Sequence, residues 1–250
     1  MSESTKLILE IVESGKAMSA AEIAEQAMVS RATVYRALKR LEGNGLINRL
    51  NTGVVLPKEA ETSFSRRLGT NFDKKREIAE KAVSLVKDGD LIFVDASTTC
   101  LAFARELARS DLSRISIATN SAFVVNELSE AAVEFYVVCT GGELQPSLNA
   151  LVGSTACSSI TSMNFHKAFV SGAAFSCETG LMATHISLVE VLKTACLCAS
   201  ERIVLVDSTK FHKEAFLNVL KCSEITTIIS DSGLDGKTRT VLESKGIRVL

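Results

Sequence analysis

Carboxylates and hydroxyls gather behind short apolar runs in this chain. Leu91-Ile92-Phe93-Val94 is followed by Asp95, Ser97, Thr98 and Thr99, and behind these Leu101, Ala104, Leu107 and Ala108 recur at helical spacing. A strand end that opens into a helix start offers free backbone N–H groups and a positive dipole end, which suit an anion. Three hydroxyls add donors, and Asp95 is placed to accept from sugar hydroxyls. Taken alone, Ser97 reads as an N-cap and Asp95 as a turn residue. The pattern recurs, however. Ile203–Val206 runs into Asp207, Ser208, Thr209 and Lys210, and Ser116–Ala118 runs into Thr119, Asn120 and Ser121. A weaker echo ends at Asp231 and Ser232. Cys139-Thr140 leads to Gly141 and Gly142, which either admit a ligand close to the backbone or simply turn the chain. Lys210 is the first choice for a cation facing the anion and Lys193 the second. One polar mouth over a parallel sheet is expected, its guest a phosphorylated sugar or a related small anionic metabolite.

Strands at 91–94, 115–118, 135–139, 167–171, 203–206, 226–230 and 247–249 must position these residues. Helices are predicted at 99–109, 121–130, 187–199 and 237–245, and a further helix from 71 to 87 precedes them. Strand–helix alternation implies an α/β fold with a mainly parallel sheet and helices on its faces.

The first 56 residues read differently. Ser19 and Glu22 have capping-box spacing ahead of a short helix. Ser30 caps the next helix, Arg31 to Glu42, in which Val34, Leu38 and Leu41 face inward and Arg31, Thr33, Tyr35, Arg36, Lys39 and Arg40 face out. Leu46-Ile47 and Val54–Leu56 flank Asn51-Thr52-Gly53, as in a β-hairpin. Arg31 to Arg49 holds five basic residues and one acid. A short helix, tight turn, basic helix and wing together predict a winged helix-turn-helix that meets double-stranded operator DNA through Ser30, Arg31, Thr33, Tyr35, Arg36, Lys39 and Arg40. The expected organisation is a DNA-binding domain over 1–56, a linker over 57–72 and an effector-binding domain over 73–250.

Bulk properties narrow the classes. The chain has 250 residues and a net charge of −1, so the case for DNA rests on local charge. Seven cysteines without CxxC pairs point to free thiols in a reducing cytoplasm. Three scattered histidines give no metal spacing, and no Walker A sequence is present, so neither metal nor cofactor is expected. No run of apolar residues has the length of a membrane span, and no membrane partner is expected.

The ordered set Arg67, Asn71, Lys75, Ile78-Ala79, Asp88-Gly89-Asp90, Asp95-x-x-Thr98-Thr99, Thr119-Asn120-Ser121, Gly141-Gly142, Gly153, Lys167-Ala168-Phe169, Gly172, Lys193 and Asp207-Ser208-x-Lys210-Phe211 resembles that of DeoR-family transcriptional regulators. The resemblance implies a winged helix-turn-helix followed by a sensor domain similar to ribose-5-phosphate isomerases and CoA transferases. It also implies a homodimer or homotetramer that represses genes of sugar or sugar-derivative use, released or modulated by a phosphorylated sugar. Two departures stand out. The recognition segment is Thr33-Val34-Tyr35-Arg36-Ala37-Leu38 rather than the family's usual run, and His166 replaces an aspartate before Lys167, where it is a candidate for the mouth or for a structural role. The alternative is a sugar-phosphate isomerase-like enzyme with an accessory N-terminal domain. Against it, Ser171–Phe175 carries none of the carboxylates that isomerases of the related fold place there.

Overall fold

The structure, a computed structural model, describes residues 3–13, 19–43, 47–50, 53–55, 64–131, 135–211 and 213–250. The chain divides into two compact units, Met1–Thr70 and Asn71–Leu250.

In the first unit, α1 (Glu3–Glu13), α2 (Ala20–Gln26) and α3 (Arg31–Gly43) enclose one apolar core. Ile8, Val12, Ile23, Val34, Leu38, Leu41 and Ile47 fill it. Its helix starts are set by side chains. Glu22 N donates to Ser19 Oγ and Ser19 N to Glu22 Oε2, and Thr33 N donates to Ser30 Oγ at 3.2 Å. A hairpin follows, β1 (Asn48–Leu50) against β2 (Gly53–Val55), antiparallel with Leu50 opposite Gly53. The first arm thus begins after Ile47, which is core, rather than at Leu46-Ile47. Asn51, Thr52 and Leu56 of the expected wing, and Asn44-Gly45 after α3, lie outside the described residues. So does 57–63 of the expected linker; the rest contains a helix, α4 (Phe64–Gly69).

The second unit opens with α5 (Phe72–Val83). This helix stops short of the predicted Lys87 because Leu85 N and Val86 N bond back three residues, and Lys87 N then donates to Asp90 Oδ2 at 2.8 Å. Gly89, at φ +83°, completes that turn. After it come β3 (Leu91–Val94), α6 (Thr98–Ala108), β4 (Ser116–Thr119), α7 (Ala122–Ser129) and β5 (Tyr136–Cys139). A small hairpin, β6 (Glu143–Gln145) and β7 (Ala150–Val152), leads through α8 (Ser154–Thr161) to β8 (Phe165–Val170). The remainder is β9 (Ala174–Ser176), β10 (Gly180–Ala183), α9 (Ile186–Leu197), β11 (Ala199–Leu205), β12 (Leu217–Leu220), β13 (Thr227–Ile229), α10 (Gly236–Ser244) and β14 (Arg248–Val249).

Seven strands form one parallel sheet in the order β14-β13-β11-β8-β3-β4-β5. These are the seven strands read from the sequence, with ends displaced by up to four residues. Winding explains the two covered faces. From β3 the chain steps outward to β4 and β5; it then returns to the far side of β3 as β8 and steps the other way. Right-handed crossovers in opposite directions put their helices on opposite faces. Accordingly α5, α6 and α7 pack in a row, while α8 packs on α9. An antiparallel three-stranded sheet, β12-β10-β9, lies against α9. Phe93, Phe165, Val191, Leu192, Phe175 and Phe211 lie in the core on the α9 side.

The central pair, β3 and β8, is fastened at both ends. At the amino-terminal edge Lys167 Nζ donates to Asp90 Oδ2 at 2.5 Å, both side chains under 10% exposed. Burial opposes ionisation of Asp90, but the Lys167 ammonium and the Lys87 amide outweigh it and hold the carboxyl below its ordinary range. His166 belongs to this edge, its Nδ1 3.2 Å from Asp90 Oδ1, and not to the polar mouth.

Candidate functional site

Two oppositely wound halves meet at the carboxyl ends of β3 and β8, and that reversal point is where open α/β sheets bind ligands. Asp95 ends β3 there and is 1% exposed. Its Oδ2 accepts from Ser171 N, just past β8, at 3.2 Å. Ser97 hydroxyl and amide lie close by, yet Asp95 Oδ1 makes no hydrogen bond of normal geometry. Burial dominates and pushes the Asp95 carboxyl up to about 6, against the partial relief given by Ser97 and Ser171. Thr99 Oγ1, in the first turn of α6, is likewise enclosed without a partner.

Lys210 reaches across from a 3₁₀ turn, Ser208–Lys210, that follows β11. Its Nζ donates to Gly172 O at 2.8 Å and to Ser171 Oγ at 3.4 Å, and lies 3.9 Å from Asp207 Oδ2. Residues read from two separate strand ends therefore come together, Asp95 after β3 and Asp207 and Lys210 after β11, with Ser171 after β8 between them. Ser171 carries no sequence signal beyond following a buried strand, and was not singled out.

The other expected residues hold the crevice's shape. Ser97 Oγ accepts from Cys100 N at 3.1 Å, the plain N-cap arrangement, and sets Thr98 as the first residue of α6. Asn120 is fully buried; Ala96 N donates to its Oδ1 at 3.0 Å and its Nδ2 donates to Leu151 O at 3.2 Å. It therefore ties β3 to β7 with the very groups expected to read hydroxyls. Ser121 Oγ caps α7 through Val124 N, and Thr119 Oγ1 accepts from Ser121 N. Gly141 and Gly142 have φ of +67° and +112°. A Cβ on Gly142 would stand 2.5 Å from Val152 O, so the chain's own hairpin, not a ligand, makes the close approach there.

Lys193 is a correction. It projects from the second half of α9, which runs back toward the amino-terminal edge of the sheet, and it lines a separate cavity with Arg202 and Lys221.

A cluster not foreseen as one lies beside the crevice. Asn71 Nδ2 donates to Asp207 Oδ1 at 3.2 Å. Lys74 Nζ donates to Ser208 Oγ at 2.5 Å and to Asp231 Oδ2 at 2.8 Å. Ser208 N and Oγ donate to the two Asp231 oxygens. Burial resists charging Asp231, but Lys74, Ser208 and Gly233 prevail and hold its carboxyl at about 2. Ser208 is thus committed to Asp231. An open depression of about 490 Å³ adjoins this cluster, between α5 and the loop after β13, lined by Asp73, Lys74, Glu77 and Asp231 among others.

In the first unit, Ser30, Arg31, Tyr35, Arg36, Lys39 and Arg40 are exposed on α3, and Thr33 is half-buried. Ser30 Oγ pairs with Thr33 Oγ1 at 2.9 Å, and Arg36 Nε donates to Ala32 O at 3.4 Å. No helix among the described residues is long and apolar enough to cross a membrane.

Comparison with known proteins agrees with both halves. Residues 70–232 match the family model of the DeoR C terminal sensor domain, and residues 1–52 match a MarR family model. The HTH-type transcriptional regulator GlpR of Haloferax volcanii is 30% identical over 99% of this chain and 96% of its own. The lactose phosphotransferase system repressor of Lactococcus lactis subsp. lactis is 33% identical over 90% of this chain and 89% of its own. Ribose 5-phosphate isomerase A of Methanocaldococcus jannaschii superposes with a TM-score of 0.42, at 22% identity, over 58% of this chain and 56% of that one. The sensor-domain match covers well over half of the sequence, and the chain belongs to the DeoR family of helix-turn-helix transcriptional regulators.

Proposed function

We propose that this protein represses sugar-utilisation genes by binding double-stranded operator DNA through α3 and its hairpin, and that a phosphorylated sugar bound between the ends of β3, β8 and β11 changes that affinity. The observation that carries the effector half is the pair of enclosed, unpartnered oxygens, Asp95 Oδ1 after β3 and Thr99 Oγ1 at the start of α6, with Ser171 bonded to Asp95 through its amide and to the Lys210 ammonium through its hydroxyl. Buried polar atoms without partners cost free energy until something bonds to them. A hydroxyl donor from the ligand would satisfy Asp95, and its phosphate would take Lys210 from Gly172 O and meet the amides opening α6. Asp207 stands next to that phosphate position through Lys210 and turns its other oxygen to Asn71. The lactose phosphotransferase system repressor carries a sugar in its name, and the sugar class is carried over here on that ground. The relatives above are named as a regulator and a repressor, which favours regulation over the isomerase reading. Such a protein acts in the cytoplasm, where its operator is.

Signalling follows from where the strand ends are anchored. Asn71, just before α5, and Lys74 within it bond to Asp207, Ser208 and Asp231, so a shift of the β11 turn on ligand entry would pull on the start of α5, the point at which the chain arrives from residue 70. A ligand moves operator affinity only if it favours one arrangement over the other, typically by about 1–3 kcal/mol. Fluorescence anisotropy on operator DNA, titrated with and without a panel of sugar phosphates, tests the proposal. Wild type should shift roughly 5–150-fold with the cognate sugar phosphate. Thr98→Ala combined with Lys210→Ala should bind operator normally and no longer respond. An unchanged response in that double variant would place the effector elsewhere.

A further inference from the structure

We infer that the sensor unit has a second anion site, remote from the crevice at the ends of β3 and β8, for a compact organic dianion. A cavity of about 250 Å³ lies between the second half of α9, the middle of β11 and the turn after β12. Lys193, Arg202 and Lys221 line it together with a single carboxylate, Glu224. Three cations against one acid leave a surplus of two positive charges facing one small space.

Ordinary folding leaves this arrangement unexplained. No hydrogen bond or ion pair holds the charged end of Lys193, Arg202 or Lys221 among the described residues, and Arg202 Nε is enclosed without a partner. Elsewhere in this unit cations close to acids are paired, as Lys74 is with Asp231 and Arg105 with Glu127. Glu224 offsets one of the three charges at most, and its Oε2 is engaged by Lys221 N at 2.7 Å, which closes the turn. A guanidinium nitrogen shut away from water costs stability until an acceptor reaches it, and two exposed ammonium groups on the same cavity favour an anionic one. A guanidinium fork flanked by two ammonium groups fits a tetrahedral or paired-carboxylate dianion. The small volume and the apolar walls, Leu197 and Leu220 among them, limit the rest of the ligand to a few carbons. The shared chemistry is therefore that of a short phosphate monoester or dicarboxylate.

Isothermal titration calorimetry on the full chain, with methyl phosphate, succinate and inorganic phosphate as separate probes, tests this. At least one should bind saturably to the wild type, and comparison of the three separates phosphate from dicarboxylate recognition. Lys193 and Lys221 are both exposed, so Lys193→Gln with Lys221→Gln should leave the unliganded melting temperature no lower than that of the wild type and weaken binding at least about tenfold. Lys210→Ala, which disables the crevice, should leave this binding unchanged. Absence of saturable binding up to about 10 mM overturns the inference. So does unaltered affinity in the double variant, or loss of binding in Lys210→Ala, which would assign the anion to the crevice instead.

Discussion

Burying Asp95 makes its carboxyl easier to protonate in the folded chain than in the unfolded one, about 6 against an ordinary value of 3.8. A carboxyl raised in this way contributes most below the unfolded value, and the contribution is lost as pH rises through the folded one. Wild type should therefore lose stability, relative to Asp95→Asn, between about pH 4 and pH 7, by up to about 3 kcal/mol. Urea unfolding of both proteins across that range measures the difference, from which the other titrating groups largely cancel. A flat difference would mean that Asp95 is not held in its apolar enclosure. The position of Asp95 was legible because a charged residue directly after four apolar ones marks a strand end. What was not legible is how many of its companions bond to the fold itself. Asn120 and Ser208 have the same residue types whether they face a ligand, Leu151 or Asp231, and only tertiary geometry decides between those partners.

At the scale of elements, α3 presents an exposed basic face on which Arg36 Nε bonds back to Ala32 O, the other face being locked into the core by Val34, Leu38 and Leu41. Near its start Arg36 is suited to a base edge, while Lys39 and Arg40 are suited to phosphates. Arg36→Ala should cost roughly 1–3 kcal/mol on the cognate operator and much less on scrambled DNA. Lys39→Ala should weaken both alike and lower the slope of log affinity against log salt by about 1. Equal losses on both DNAs for Arg36→Ala would remove it from base reading. Helices and parallel strands with a strong apolar period were readable from the sequence, to within a few residues. The elements it did not foretell are the short ones. In α8, Ser154–Thr161, only Ala156 and Ile160 are buried, too few to set a period, and β9, β10 and β12 span three or four residues each. Such pieces owe their form to α9 and to one another rather than to their own residues.

For the molecule as a whole, one small winged unit offers a limited contact with DNA, and helix-turn-helix proteins gain affinity by pairing half-sites a helical turn or a multiple of it apart. We expect a homodimer or homotetramer. Light scattering at micromolar concentration should return a mass of two or four chains, and operator half-sites tested singly should bind far more weakly than the pair. A monomeric mass with full affinity for a single half-site would contradict this.

The reversal of winding between β5 and β8 has a consequence in time as well as in space. The two walls of the proposed effector crevice, Asp95 and Ser171, are 76 residues apart in the chain. Contacts of that separation close late, because the long intervening loop has to be ordered first. A ribosome delivers the chain from its amino terminus, so the winged unit is complete while the residues of β8 and β11 are still to be made. On this reading each newly synthesised copy owns its helix-turn-helix before it owns the crevice proposed for a sugar phosphate.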